Sequence, residues 1–73
     1  MKTILVGPVF GANLREMRLK YALSQKALAK LSGIGLPILR LLEQGQITRE
    51  LKEETLCRLC SILNCTITDL IEP

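Results

Sequence analysis

The sequence predicts an all-α domain of five short helices behind an extended N-terminal arm. Three observations carry that reading. Apolar residues recur at three- and four-residue spacing through most of the chain. Caps and glycines interrupt the recurrence at short intervals. The length, 73 residues of which 48% are hydrophobic, suffices for one small core and leaves no room for a second. With one Phe, one Tyr and no Trp, that core is expected to be aliphatic.

Residues 3–6 are β-branched or aliphatic and are followed by the breaker Gly7-Pro8, then by Val9 and Phe10. Residues 1–10 therefore read as an extended arm, a candidate β-strand, and residues 11–73 as the folded domain. The first helix is expected from Asn13, an N-cap residue type, with Leu14, Met17, Arg18 and Tyr21 at helical spacing. Ser24 is the natural N-cap of the second, which places Ala27, Leu28 and Leu31 on one face and Lys26 and Lys30 on another. It ends at Ser32-Gly33, where a glycine suits a left-handed residue. A third helix over about residues 35–44 tolerates Pro37 because a first-turn N–H has no helical partner to lose, and Gly45 stops it. Residues 46–52 are expected to be a connection. Leu51, Thr55, Leu56, Leu59, Ile62 and Leu63 then mark a fourth helix that starts between Thr48 and Glu53 and closes at Asn64. A last turn, residues 68–71, is capped by Thr66 or Thr68 and stopped by Pro73.

Composition excludes several classes of function. Without histidine the chain lacks the usual general base and the commonest zinc ligand, and so small a domain has few side chains to spare for a cleft. An enzyme is not expected. The formal net charge of +3 leans towards a polyanionic partner. Three cysteines are an odd number, which fits free thiols in a reducing compartment better than a disulfide framework, and the protein is expected to be cytoplasmic. The opening residues imitate a signal peptide, but their apolar run is broken by Gly7-Pro8, and no stretch is long enough to cross a bilayer.

Two short helices joined by a tight glycine-containing turn, with a small residue facing it, form the local geometry of a helix-turn-helix. Ala29 stands where the two helices approach, Gly33 makes the turn, and Leu28, Ile34, Leu39 and Leu42 fall on inward faces. The stretch Ser24-Gln25-Lys26-Ala27-Leu28-Ala29-Lys30-Leu31-Ser32-Gly33-Ile34, followed by Leu42-Glu43-Gln44-Gly45, resembles the Cro/repressor-type (XRE) helix-turn-helix family of bacterial and phage transcription regulators. The closing Leu56-Cys57-Arg58-Leu59-Cys60, Asn64-Cys65 and Asp69-Leu70-Ile71 are similar to a short single-domain branch of it. The resemblance spans about residues 13–72 and implies a five-helix, lambda-repressor-like fold.

It also implies a mode of action. The third helix would lie in the major groove of double-stranded DNA, with the second helix's N-terminus and the loop after the third helix on phosphates. Carried over, the phosphate anchors are Ser24 and Gln25, for which cap and solvated side chain are the plainer roles. The groove-facing positions are Leu36, Pro37, Arg40, Leu41 and Gln44, and the loop donors are Gln46, Thr48 and Arg49, with Lys52 behind them. The apolar members depart from the family's polar habit, because Leu36, Pro37 and Leu41 cannot hydrogen-bond base edges. They would touch thymine methyl groups, or else form a patch that binds a protein; a protein-interaction module on the same fold is therefore the alternative function. Arg18 and Glu43 match a pair that forms a buried salt bridge in the resembling family.

Cys57-x-x-Cys60 with Cys65 suggests a metal or redox site, but a tetrahedral set would lack its fourth ligand, and Cys60 and Cys65 fall at small core positions of the resembling pattern. No metal, cofactor or small-molecule ligand is expected. The apolar arm needs a partner strand. Either two copies pair through it, or through the last helices, to give a homodimer for a palindromic site, or the arm folds over its own core.

Overall fold

The first helix begins at Pro8, not at Asn13. The computed structural model describes residues 2–73. In chain order it has β1 (Thr3–Val6), α1 (Pro8–Lys20), α2 (Gln25–Ser32), α3 (Leu36–Glu43), β2 (Arg49–Lys52), α4 (Glu53–Leu63) and α5 (Ile67–Ile71). The breaker Gly7-Pro8 opens α1 instead of preceding it. Gly7 is the N-cap, and Pro8 enters the first turn with its φ already set for the helix. This early start carries Phe10 out of the arm and onto the stripe with Leu14 and Arg18, where it is only 2% exposed. Asn13 caps nothing on its own helix: its Nδ2 donates to the carbonyls of Leu70, at 3.0 Å, and Glu72, at 2.7 Å, and so ties α1 to the end of α5.

The arm lies on its own chain. β1 pairs antiparallel with β2, Ile4 opposite Leu51 and Leu5 opposite Glu50, so the segment expected to be connection or the start of the fourth helix contains a strand. Burial is what selects it. Val6 and Leu51 join the buried core, and Ile4 packs against it. Leu51 thus belongs to the ribbon, and α4 starts at Glu53 with two glutamates in its first turn, where negative charge meets the positive end of the helix dipole.

The remaining ends follow the sequence closely. Ser24 caps α2 through its Oγ, which accepts from the Ala27 amide at 3.0 Å, and Gly33 closes the helix in the left-handed region at φ 80°. Asn64 closes α4 at φ 49°. Thr66 and Asp69 form a reciprocal capping box on α5, with bonds of 2.9 and 3.2 Å. In α2 the inward stripe runs through Leu28, Ala29 and Ser32, and Leu31 is exposed. The serine takes that place because the turn needs its hydroxyl, which accepts from the Ile34 amide at 3.2 Å. Tyr21 is likewise exposed, as the C-cap of α1.

Leu14, Leu28, Leu39, Leu42, Leu56, Leu59, Leu63 and Leu70 have no accessible surface, so the centre is aliphatic with Phe10 as its aromatic member. α1 crosses α3 closely. A Cβ placed on Gly11 would stand 1.7 Å from the Leu42 carbonyl oxygen, so only glycine allows this approach.

Candidate nucleic-acid interface

Three contacts fix the angle between α2 and α3. Gly33 makes the turn, Ala29 is buried at the crossing, and Ile34 anchors the turn in the core. From α4, Arg58 Nη1 donates to the Ser32 carbonyl at 3.3 Å, which satisfies an orphan acceptor at the end of α2 and ties the turn to the next layer. No sequence signal marks this tie, since a charged residue on an amphipathic helix ordinarily meets solvent.

Behind the pair lies a buried charge network. Arg18 Nε donates to Glu43 Oε2 at 2.8 Å and Nη2 to Oε1 at 2.9 Å, and Nη1 closes on the Leu23 carbonyl at 2.7 Å. Both residues are nearly inaccessible, at 8% and 7% exposure. A bidentate pair with a third guanidinium hydrogen bonded to a carbonyl is the form in which burying two charges is tolerable. Gln25 completes the network, its Nε2 donating to Glu43 Oε1 at 3.1 Å. The side chain expected to reach outward therefore directs one amide hydrogen inward, and the other remains for a ligand.

Most of the expected positions are accessible to solvent. Ser24 is exposed at the start of α2, its hydroxyl engaged as the cap. The Ala27 and Leu28 amides are occupied by Ser24, which leaves those of Gln25 and Lys26 at the positive end of the helix without a helical partner. Along α3, Pro37 and Arg40 are exposed, and Gln44 follows them as the exposed C-cap. Gly35 gives α3 no side-chain cap, so its first turn also presents bare backbone. Beyond it stand Gln46, Thr48 and Arg49, all exposed, the last on β2. Ile47 anchors this segment by packing against the core, and Gln46 donates its amide to the Leu41 carbonyl at 3.0 Å. Leu36 and Leu41 are half-buried, and Leu36 packs against the core, so the apolar residues of α3 do not project together as a patch.

Cys57 is exposed, whereas Cys60 and Cys65 are half-buried and pack against the core. Burial raises the Cys60 thiol above its ordinary value and pushes Cys65 up to about 11, opposite to what a thiolate ligand needs. Among the described residues no group of Cys, Asp and Glu is arranged to hold a metal ion, and no helix is long and apolar enough to cross a membrane.

A helix pair joined by a left-handed glycine, packed on a buried ion pair and flanked by three further helices, is a helix-turn-helix DNA-binding domain. The chain belongs to the Cro/C1-type helix-turn-helix DNA-binding family, whose model matches residues 13–73. No curated protein matches it in sequence. Among solved structures it is similar to the restriction-modification controller protein C.AhdI from Aeromonas hydrophila, at 34% identity over 84% of this chain and 89% of that one, with a TM-score of 0.69. It is also similar to the clp gene regulator ClgR from Corynebacterium glutamicum, at 29% identity over 85% of this chain and 64% of that one, with a TM-score of 0.71.

Proposed function

We propose that the protein is a cytoplasmic transcription regulator that binds double-stranded DNA as a homodimer. α3 enters the major groove, with Arg40 and Gln44 as its hydrogen-bonding groups and Pro37 and Leu41 against thymine methyl groups. Ser24 and Gln25 at the start of α2 face one phosphate stretch, and Gln46, Thr48 and Arg49 face another. The observation that carries this reading is that α2 begins on amides without a helical partner while Arg40, Gln44, Gln46, Thr48 and Arg49, on and after α3, are all exposed polar groups. Its likeness to two named regulators supports the regulatory role.

The Gln25 bond to Glu43 suits the same reading, because it holds the anchoring side chain in one orientation before any phosphate arrives. The rival use of α3, docking a protein through Leu36, Pro37 and Leu41, has little surface to offer once Leu36 packs on the core. The test is fluorescence anisotropy of a labelled random duplex at several salt concentrations. Micromolar binding whose log affinity falls linearly with log salt is the expected result, and it opens selection of a specific site from a random library. Absence of binding even at low salt would end the DNA reading.

A further inference from the structure

Among the described residues, β1 has β2 on one side and no strand on the other. The Glu53 amide donates to the Lys2 carbonyl at 3.0 Å, which makes residues 2 and 53 a hydrogen-bonded pair in the register that sets Ile4 opposite Leu51. Antiparallel ladders alternate, so Ile4 and Val6 turn their peptide groups towards β2. Thr3, Leu5 and, by the same alternation, Gly7 turn theirs to the open edge. That edge lacks the usual guards against pairing: residues 3–6 contain no charge and no proline. Beside it runs a shallow groove of about 230 Å³ lined by Leu5, Val9, Phe10 and Ile71. Leu5 is 66% exposed, Val9 45% and Ile71 39%, among the most exposed large apolar side chains of the chain.

We propose that this edge is a self-association surface, on which two copies join β1 to β1 antiparallel about a two-fold axis centred on Leu5. The inference deepens the homodimer reading above and rests on it, but it does not depend on DNA. A two-fold axis perpendicular to a sheet opposes residues that lie on the same face, hence residues of like parity. The open edge presents residues of one parity, Thr3, Leu5 and Gly7. Centring on Leu5 satisfies both conditions: the two Leu5 residues exchange both of their backbone bonds, and each Gly7 N–H meets the Thr3 carbonyl of the other copy. The Gly7 carbonyl is already engaged by the Gly11 amide at 3.0 Å. Charge points to the same occupant. The chain carries a net +3, and residues 3–12 form an uncharged stretch on which two copies meet without opposing like charges. The apolar area on offer is small for a permanent dimer, so the association is weak and depends on concentration.

The test is sedimentation velocity without DNA, from low micromolar to near-millimolar protein, together with amide exchange followed by NMR. The wild-type chain is expected to pass from monomer to dimer, and the Leu5 and Gly7 amides to exchange more slowly as it does. Leu5→Lys is expected to weaken association about tenfold or more, since it brings two ammonium groups face to face. Because the Leu5 side chain is exposed, its thermal melt should match that of the wild type. A wild-type dimer that Leu5→Lys leaves intact would overturn this interface and spare the homodimer. A monomer at every concentration would overturn both and leave DNA binding to its own test. A monomer whose Leu5 amide is protected by an added extended apolar peptide would reassign the edge to a peptide partner.

Discussion

Glu43 sits at the junction of structure and function, because it accepts from both Arg18 and Gln25. Its removal strands a guanidinium with little solvent to turn to. Glu43→Ala is therefore expected to destabilise the fold by about 3–5 kcal/mol in urea unfolding, the usual cost of breaking a buried pair from one side. Replacing both partners by apolar residues, Arg18→Met with Glu43→Leu, should recover most of that loss. Full recovery of DNA affinity by the double variant would show that Gln25 needs no anchor. The thiols give a pH test at the same scale. Cys65 is held neutral in the fold up to about 11 against an ordinary 9.0, so above pH 9 the unfolded chain has lost a proton that the folded one keeps. This contribution to stability is whole below pH 9 and is lost as pH rises towards about 11. Fluorescence-independent readouts such as circular-dichroism melts should show it, and a Cys65→Ala variant should lose that part of the slope.

The helices were legible where caps and left-handed residues mark their ends. Ser24 and Gly33 bracket α2, Gly45 and Asn64 follow α3 and α4 in the left-handed region, and Thr66 pairs with Asp69 across the first turn of α5. The arm was legible as a candidate strand, but its partner β2 was not, because a four-residue ribbon has no periodicity of its own. Thr3–Val6 and Arg49–Lys52 become strands only by finding each other across the chain, and the single inward Leu51 between charged neighbours looks like the lead-in to α4. Pro8 misled for a related reason: the same residue ends an extended arm or begins a helix, and only the burial of Phe10 decides. The candidate site was legible as a set of positions. Its inner tie from Gln25 to Glu43 and its outer tie from Arg58 to Ser32 were not, since both join residues far apart in sequence. If β2 is part of the core, Leu51→Ala should cost about 2–4 kcal/mol, whereas Leu31→Ala on the exposed face of α2 should change stability by less than about 0.5 kcal/mol. Equal effects would mean that the ribbon contributes little.

At the scale of the whole molecule, the proposed DNA contacts divide into two kinds that salt separates. The open amides of α2 and the neutral Gln25, Gln46 and Thr48 would bind phosphate without adding cationic charge, whereas the exposed Arg40 and Arg49 would bring full charges. Counterion release follows neutralised phosphates, at about 0.9 in the slope of log affinity against log salt for each. Arg49, on β2 and proposed to face a phosphate, should therefore report in the slope. Arg49→Ala is expected to flatten it by about 0.9 for each chain bound and to weaken random and selected duplexes alike. Arg40, on α3, should report in discrimination instead: Arg40→Ala is expected to lose about 1–3 kcal/mol on a selected site and far less on random sequence. The pair of titrations also fixes the orientation of the domain. If the roles come out reversed, with Arg40 moving the slope and Arg49 the discrimination, α3 lies along the backbone and the ribbon enters the groove.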